Sequence, residues 1–139
     1  MKSPAVVWLG WFIVAAALGG LAVCVAFIRS ANRAADQGAR CAPLARSRQA
    51  QLFGVPNVTL GLAYYLMLAV AAASGRLHGP VLLVAAWVAA GTVALGAYLV
   101  YALVAVLKRP CPLCFSAHAI NALLTLLLIW LVRLTPPAP

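Results

Sequence analysis

The sequence predicts an all-α integral membrane protein, a four-transmembrane-helix bundle with a long cysteine-bearing loop between helices one and two. Three observations lead there. Hydrophobic residues fill 66% of the 139 positions and charged residues only 8%, with a mean hydropathy of +1.06; a water-soluble domain of this size could not hide that much apolar surface. The apolar residues form long aliphatic and alanine-rich runs, not the short alternating segments of a membrane barrel, so the spans are helices that satisfy their own backbone in lipid. At about 20 residues per span, the chain accommodates four helices as one membrane domain over residues 1–139.

The first run, 4–28, carries Trp8 and Trp11 near its start as interface anchors. It outlasts a signal-peptide core and lacks a small-x-small ending. Cys24 inside it reads as a buried apolar thiol. Residues 29–57 then turn polar, with Arg29, Arg33, Arg40, Arg46, Arg48, Asp36 and Cys41. A connection that long in a compact chain is usually functional, and a short surface helix around 44–52 fits its pattern. The turn Phe53-Gly54-Val55-Pro56 leads to Asn57, a residue suited to capping a second helix over 58–73. A turn at 74–80 makes helix three, 81–107, an antiparallel neighbour of helix two. Gly91 and Gly96 on helix three permit close helix approach. Helix four covers 112–132, and the proline-rich tail 133–139 reads as disordered.

The formal net charge is +9, and Asp36 is the only acidic residue. Paired-carboxylate catalysis is therefore excluded. The cations flank lipid, so the expected partner is the bilayer with its anionic headgroups, and not nucleic acid.

The chemistry lies in Cys111-Pro112-Leu113-Cys114, followed by His118. Two thiols at this spacing form a redox pair or half of a metal site. Cys111 falls at the N-cap of helix four with Pro112 at its first position. The helix dipole, Lys108 and Arg109 favour thiolate there. Cys114 and His118 share a helical face with Cys111. Two spans separate Cys41 from Cys111, which puts both on one side of the membrane and lets the loop thiol reach the fixed pair. A soft-metal site built from Cys41, Cys111, Cys114 and His118, for zinc or copper binding or transport, is the alternative.

Cys41 and Ser47, then Phe53-Gly54-x-Pro56-Asn57 with Gly61, then Cys111-x-x-Cys114-x-x-x-His118-Ala119-Ile120-Asn121, resemble in order the vitamin K epoxide reductase family, in a prokaryotic-type form without a fused thioredoxin domain. The resemblance covers nearly the whole chain. It implies a bundle that encloses a quinone pocket under the loop, and an enzyme passing electrons from a thiol partner through Cys41 to Cys111 and Cys114 and on to a quinone. Menaquinone, ubiquinone or vitamin K would be the acceptor, a thioredoxin-like protein or small thiol the donor, and no metal is required. Cys114 would face the quinone while Cys111 exchanges disulfide with Cys41. Asn57 and His118 would take the quinone oxygens, the latter standing where some members have Tyr. Ser47 and Phe53 would support the same pocket.

Two features depart from the family pattern. Family members usually carry two loop cysteines, and Ala35 occupies the position of the earlier one. Either a Cys-to-Ala replacement traps a Cys41–Cys111 disulfide, or an external thiol resolves Cys41 directly. The family's cysteines usually face the oxidising, extracytoplasmic side. That leaves Lys2, Arg76 and Arg133 inside against seven cations outside, the reverse of the positive-inside rule. The expected location is a multi-pass membrane protein with its cysteines extracytoplasmic; the inverted orientation is the alternative.

Overall fold

The structure is a computed structural model and describes residues 3–37, 51–52, 54–106, 108 and 111–135. Within them, α1 spans Pro4–Gln37, strands β1 (Gln51–Leu52) and β2 (Val55–Pro56) form a small hairpin, and α2 spans Asn57–Ala73. Helix α3 covers Gly79–Tyr101 and widens into a π-helical turn over Ala102–Val106; α4 covers Pro112–Leu134. Among the described residues, three segments are long and apolar enough to cross a bilayer: Pro4–Asn32, Gly79–Val106 and Pro112–Leu134. Helix α2, with 17 residues, is about 26 Å long, slightly under the ~30 Å hydrocarbon thickness.

Several boundaries differ from the sequence expectation. Helix α1 runs on to Gln37, so Arg29, Ala35 and Asp36 belong to a helix and not to the loop. Loss of hydrophobicity at Arg29 ends the membrane pattern but not the helix. From Arg29 to Gln37 no glycine or proline intervenes, and alanine and arginine sustain helix well. Gln51 and Leu52 pair with Pro56 and Val55 in an antiparallel hairpin and are not helical; residues 44–50, with the rest of the anticipated surface helix, lie outside the described residues. Gly54, at φ 81°, supplies the left-handed turn between the strands. Arg133 and Leu134 continue α4, whereas 136–139 lie outside the described residues.

Asn57 does not cap α2. Pro56 holds the N-cap position without a side-chain bond, and Asn57 is the first helical residue. At the other end, Gly75 adopts φ 69° and Arg76 N donates to Ala71 O at 3.0 Å, a Schellman ending that turns the chain toward α3.

That short turn does not make α2 and α3 packing partners. Helix α1 packs along α2 and α4, α4 packs along α3, and α2 and α3 meet at few points. Bulky side chains explain where the bundle closes. Leu9, Ile13, Leu68, Leu82, Leu124, Leu128 and Leu131 form one buried cluster at the end holding the start of α1 and the end of α4. Small residues at the opposite end, Gly61, Gly96 and Ala117, leave space that no side chain fills. Trp8, Trp11 and Trp130 are exposed and sit toward the tightly packed end, as an aromatic belt at one membrane surface would.

Tyr65 closes the bottom of that space. It is 2% exposed, and a Cβ built on Gly20 of α1 would lie 2.5 Å from its ring, so only glycine admits it. We expect Gly20→Leu to destabilise the bundle by about 1–3 kcal/mol through overpacking, measured by thermal unfolding in detergent, and Gly20→Leu combined with Tyr65→Ala to recover part of the loss.

Candidate functional site

The site begins where α4 begins. Pro112, with φ fixed and no N–H to satisfy, stands at the first helical position, and Cys111 holds the N-cap at φ −111° and ψ 115°. Cys114 N and Phe115 N both donate to Cys111 O, at 3.1 and 3.2 Å, which locks the geometry of the dithiol stretch. Cys111 is fully buried and disulfide-bonded. Cys24 and Cys114 are free thiols. Cys114, Phe27 and Leu113 pack against the buried pair Leu103 and Cys111.

Cys114 opens onto a cavity of about 330 Å³, within the range of small-molecule sites. Helices α2 and α3 form its facing walls, α1 and α4 its sides, with Leu52 and Pro56 of the hairpin contributing at the thiol end. Most of the lining is apolar, including Phe27, Leu60, Val88, Leu95, Leu99 and Leu103. Among the described residues, three buried side-chain polar atoms lack a hydrogen-bond partner: Asn57 Oδ1, Tyr64 Oη and His118 Nδ1. All three residues line this cavity. Stranding one buried polar group costs about 1–3 kcal/mol, and three in one chamber mark it as a place built for a polar-edged ligand.

Two glycines shape the chamber. A Cβ on Gly96 would meet His118 Nδ1 at 2.7 Å, so the imidazole seats directly against the α3 backbone. Gly61 faces Cys24 Sγ, 3.4 Å from where its Cβ would lie. Below them, the Tyr65 hydroxyl donates to Asn121 Oδ1 at 2.6 Å and also lies 3.3 Å from Ala117 O, tying α2 to α4. Its neighbour Tyr64, with ring centroids 5.3 Å apart, makes no such bond. Tyr64 lies beside Thr92 of α3 without hydrogen-bonding geometry, and the Thr92 hydroxyl donates to Ala89 O at 2.7 Å.

Of the residues singled out from the sequence, Cys114, His118 and Asn57 converge on the cavity, and Cys111 packs against Cys114. Cys41, Ser47 and Phe53 lie outside the described residues. Ala35 lies within the backbone of α1. Among the described residues, no three His, Cys, Asp or Glu side chains gather as metal ligands. Sequence reasoning missed Tyr64, Tyr65 and Thr92. Their signal was available in the polar atoms placed on otherwise apolar helices, but periodicity could not say which of them had partners.

A largely helical membrane chain, with a free thiol on the wall of an apolar chamber beside a bonded cysteine at a helix start, has the construction of a membrane thiol oxidoreductase. The chain belongs to the Vitamin K epoxide reductase family, whose model it matches over residues 6–129. This is a family of integral membrane, quinone-linked thiol oxidoreductases that work with thiol partners, and the match spans nearly the whole chain. No curated protein and no solved structure matches the sequence.

The Gly96 and His118 contact yields a direct prediction. Gly96→Ala displaces the imidazole by a few tenths of an ångström or more, and we expect quinone KM to rise about tenfold with little change in folded yield. Pairing it with His118→Ala should make the two effects non-additive, since both act on one contact.

Proposed function

We propose that the chain is a quinone-dependent thiol oxidoreductase, built as four membrane spans with α2 as the short one, that forms disulfide bonds with a quinone as electron acceptor. The observation that carries this reading is the cluster of unpartnered polar atoms on Asn57, Tyr64 and His118 in the apolar chamber that Cys114 lines. A quinone is a flat apolar ring with two carbonyl acceptors, and its hydroquinone carries two hydroxyl donors. The Asn57 amide offers both donors and an acceptor, so it can follow the ligand through both redox states. His118 takes the second oxygen. By the family pattern, Ser47 and Phe53 are the further residues assigned to the quinone. Menaquinone, ubiquinone and vitamin K all fit this description.

Cys41 is the proposed disulfide partner of Cys111. The support is arithmetic: the sequence holds four cysteines, Cys24 and Cys114 are free, and Cys111 is bonded. From that state the exchange balances. A partner thiol attacks Cys41, forms a mixed disulfide with it and releases Cys111 as thiol. Cys111 and Cys114 then give two electrons and two protons to the quinone and close their own disulfide. A second partner thiol resolves the mixed disulfide at Cys41, and Cys41 attacks Cys111 to free Cys114 again. Two thiols become one disulfide and the quinone becomes a hydroquinone. The external thiol, from a thioredoxin-like protein or a small molecule, does what a cysteine at position 35, near the end of α1, would otherwise do. The seven cations that the sequence carries in the two stretches flanking the cysteines suit anionic headgroups, and we assign that end to the extracytoplasmic side.

Purified protein with a small dithiol and a short-tailed quinone should show hydroquinone formation that Cys114→Ala reduces by at least a hundredfold. Asn57→Ala should raise quinone KM about tenfold while retaining kcat within a factor of three. No quinone reduction by the wild type would sink the redox reading. Ala35→Cys should speed oxidation of a protein dithiol, because an internal thiol acts at high effective concentration; an unchanged rate would leave resolution of Cys41 to the external thiol.

A further inference from the structure

Asn121 closes the motif that begins at Cys111, yet the route of electrons described above gives it no task. It is half-buried and lines the chamber. Its amide has two ends of opposite character, an Oδ1 that accepts and an Nδ2 that carries two donors. The Tyr65 hydroxyl meets the Oδ1 end at 2.6 Å, a length usual for O–H···O and short for N–H···O. The second oxygen near that hydroxyl, Ala117 O at 3.3 Å, already accepts inside α4 under the helical bonding pattern. One hydrogen cannot serve both acceptors well, and the shorter contact takes it. Tyr65 therefore fixes the orientation of the amide, with Oδ1 toward α2.

The Nδ2 end is left open. It makes no hydrogen bond among the described residues but keeps accessible surface, and the space it opens to is the chamber that Asn121 lines. His118 precedes Asn121 by three residues on the same face of α4, about 4.5 Å along the axis. The Nδ1 edge of its ring is buried against Gly96 with no partner, so nothing there accepts a proton, and the neutral imidazole carries its hydrogen on Nε2. Two donors thus stand one turn apart on one wall, deeper in the bundle than Cys114.

We propose that Asn121, held in one orientation by Tyr65, donates from Nδ2 to the same ring oxygen as His118, and that the two donors stabilise the negative charge this oxygen gains as the quinone is reduced. This rests on the quinone-dependent reading above. Reduction moves two electrons from the Cys111 and Cys114 thiols, which close to a disulfide, onto the quinone, and the two thiol protons end on its two oxygens. Electrons that arrive ahead of protons leave charge on oxygen, and preorganised donors in an apolar chamber hold it where lipid could not. Asn57 serves the opposite oxygen. Tyr65 acts through Asn121 and is a positioning residue.

The test uses the full-length purified protein, a small dithiol and a short-tailed naphthoquinone, reading kcat, KM and the infrared carbonyl bands of the bound quinone. Asn121→Leu should lower kcat about a hundredfold, the effect of removing one such donor. KM should change less than threefold, because the donor favours the charged oxygen over the neutral carbonyl. Tyr65→Phe keeps the ring beside Gly20 and frees the amide to turn, so kcat should fall about tenfold, the loss expected for one hydrogen bond. Asn121→Leu combined with Tyr65→Phe strands no polar group: a purely structural pair recovers kcat, whereas a donor to the ligand leaves it as low as in Asn121→Leu alone. In the wild type, isotopic labelling of each carbonyl in turn should show one band lowered clearly more than the other, relative to the quinone in detergent, and Tyr65→Phe should shrink that difference. An Asn121→Leu kcat within threefold of wild type, or recovery in the double variant, overturns the proposal while the quinone reading stands. If Asn121→Leu fails to fold, an unchanged kcat in Tyr65→Phe or equal lowering of both wild-type carbonyl bands overturns it. A wild type that reduces no quinone overturns both readings.

Discussion

Everything at the working end depends on one buried side chain, Tyr65. Its ring fits against α1 only because Gly20 has no Cβ, and its hydroxyl reaches α4 at Asn121. One residue of α2 thus joins three helices at the base of the chamber. In lipid there is little hydrophobic force between helices, and close packing with interhelical hydrogen bonds takes over that task. Below Tyr65 the leucine cluster closes the bundle. Above it the walls stay apart.

The separation of α2 and α3 is what makes a chamber possible. Both helices are held by others, α2 by α1 and α3 by α4, so neither has to fill the space between them. Glycine and alanine on the inner faces widen that space further, and the π-helical turn at Ala102–Val106 reshapes the wall next to the cysteines. π-turns of this kind recur at functional sites because one extra residue re-aims the side chains around it. Here Ala102 and Leu103 in that turn both line the cavity, and Leu103 also packs against Cys111.

The thiols are placed by a different device, the start of a helix. Pro112 ends the extended connection and begins α4, so Cys111 lies at the cap and Cys114 one turn inside. Cys111 is turned into the packed cluster and Cys114 toward the chamber. A two-residue spacing across a helix start therefore gives the cysteines different surroundings: one is bonded to another sulfur within the packed cluster, the other lines the chamber.

Much of this was written in the chain as composition and local pattern. Runs of aliphatic residues specify apolar helices because lipid leaves the backbone no other way to satisfy itself, and Cys-Pro-x-Cys specifies a helix start because proline permits little else there. The order of Cys, Asn57 and His118 motifs pointed to the family over most of the chain. Hydropathy alone misjudged the end of α1 at Gln37, since a helix can outrun the membrane that its apolar part occupies, and the turn at 74–78 misled about α2 and α3, since chain adjacency is not packing. Which hydroxyl is satisfied and which is left open is a question about neighbours from other helices. Tyr64 and Tyr65 are identical in the sequence, and only the fold, by setting Asn121 opposite one and Thr92 with the cavity beside the other, gives them different surroundings.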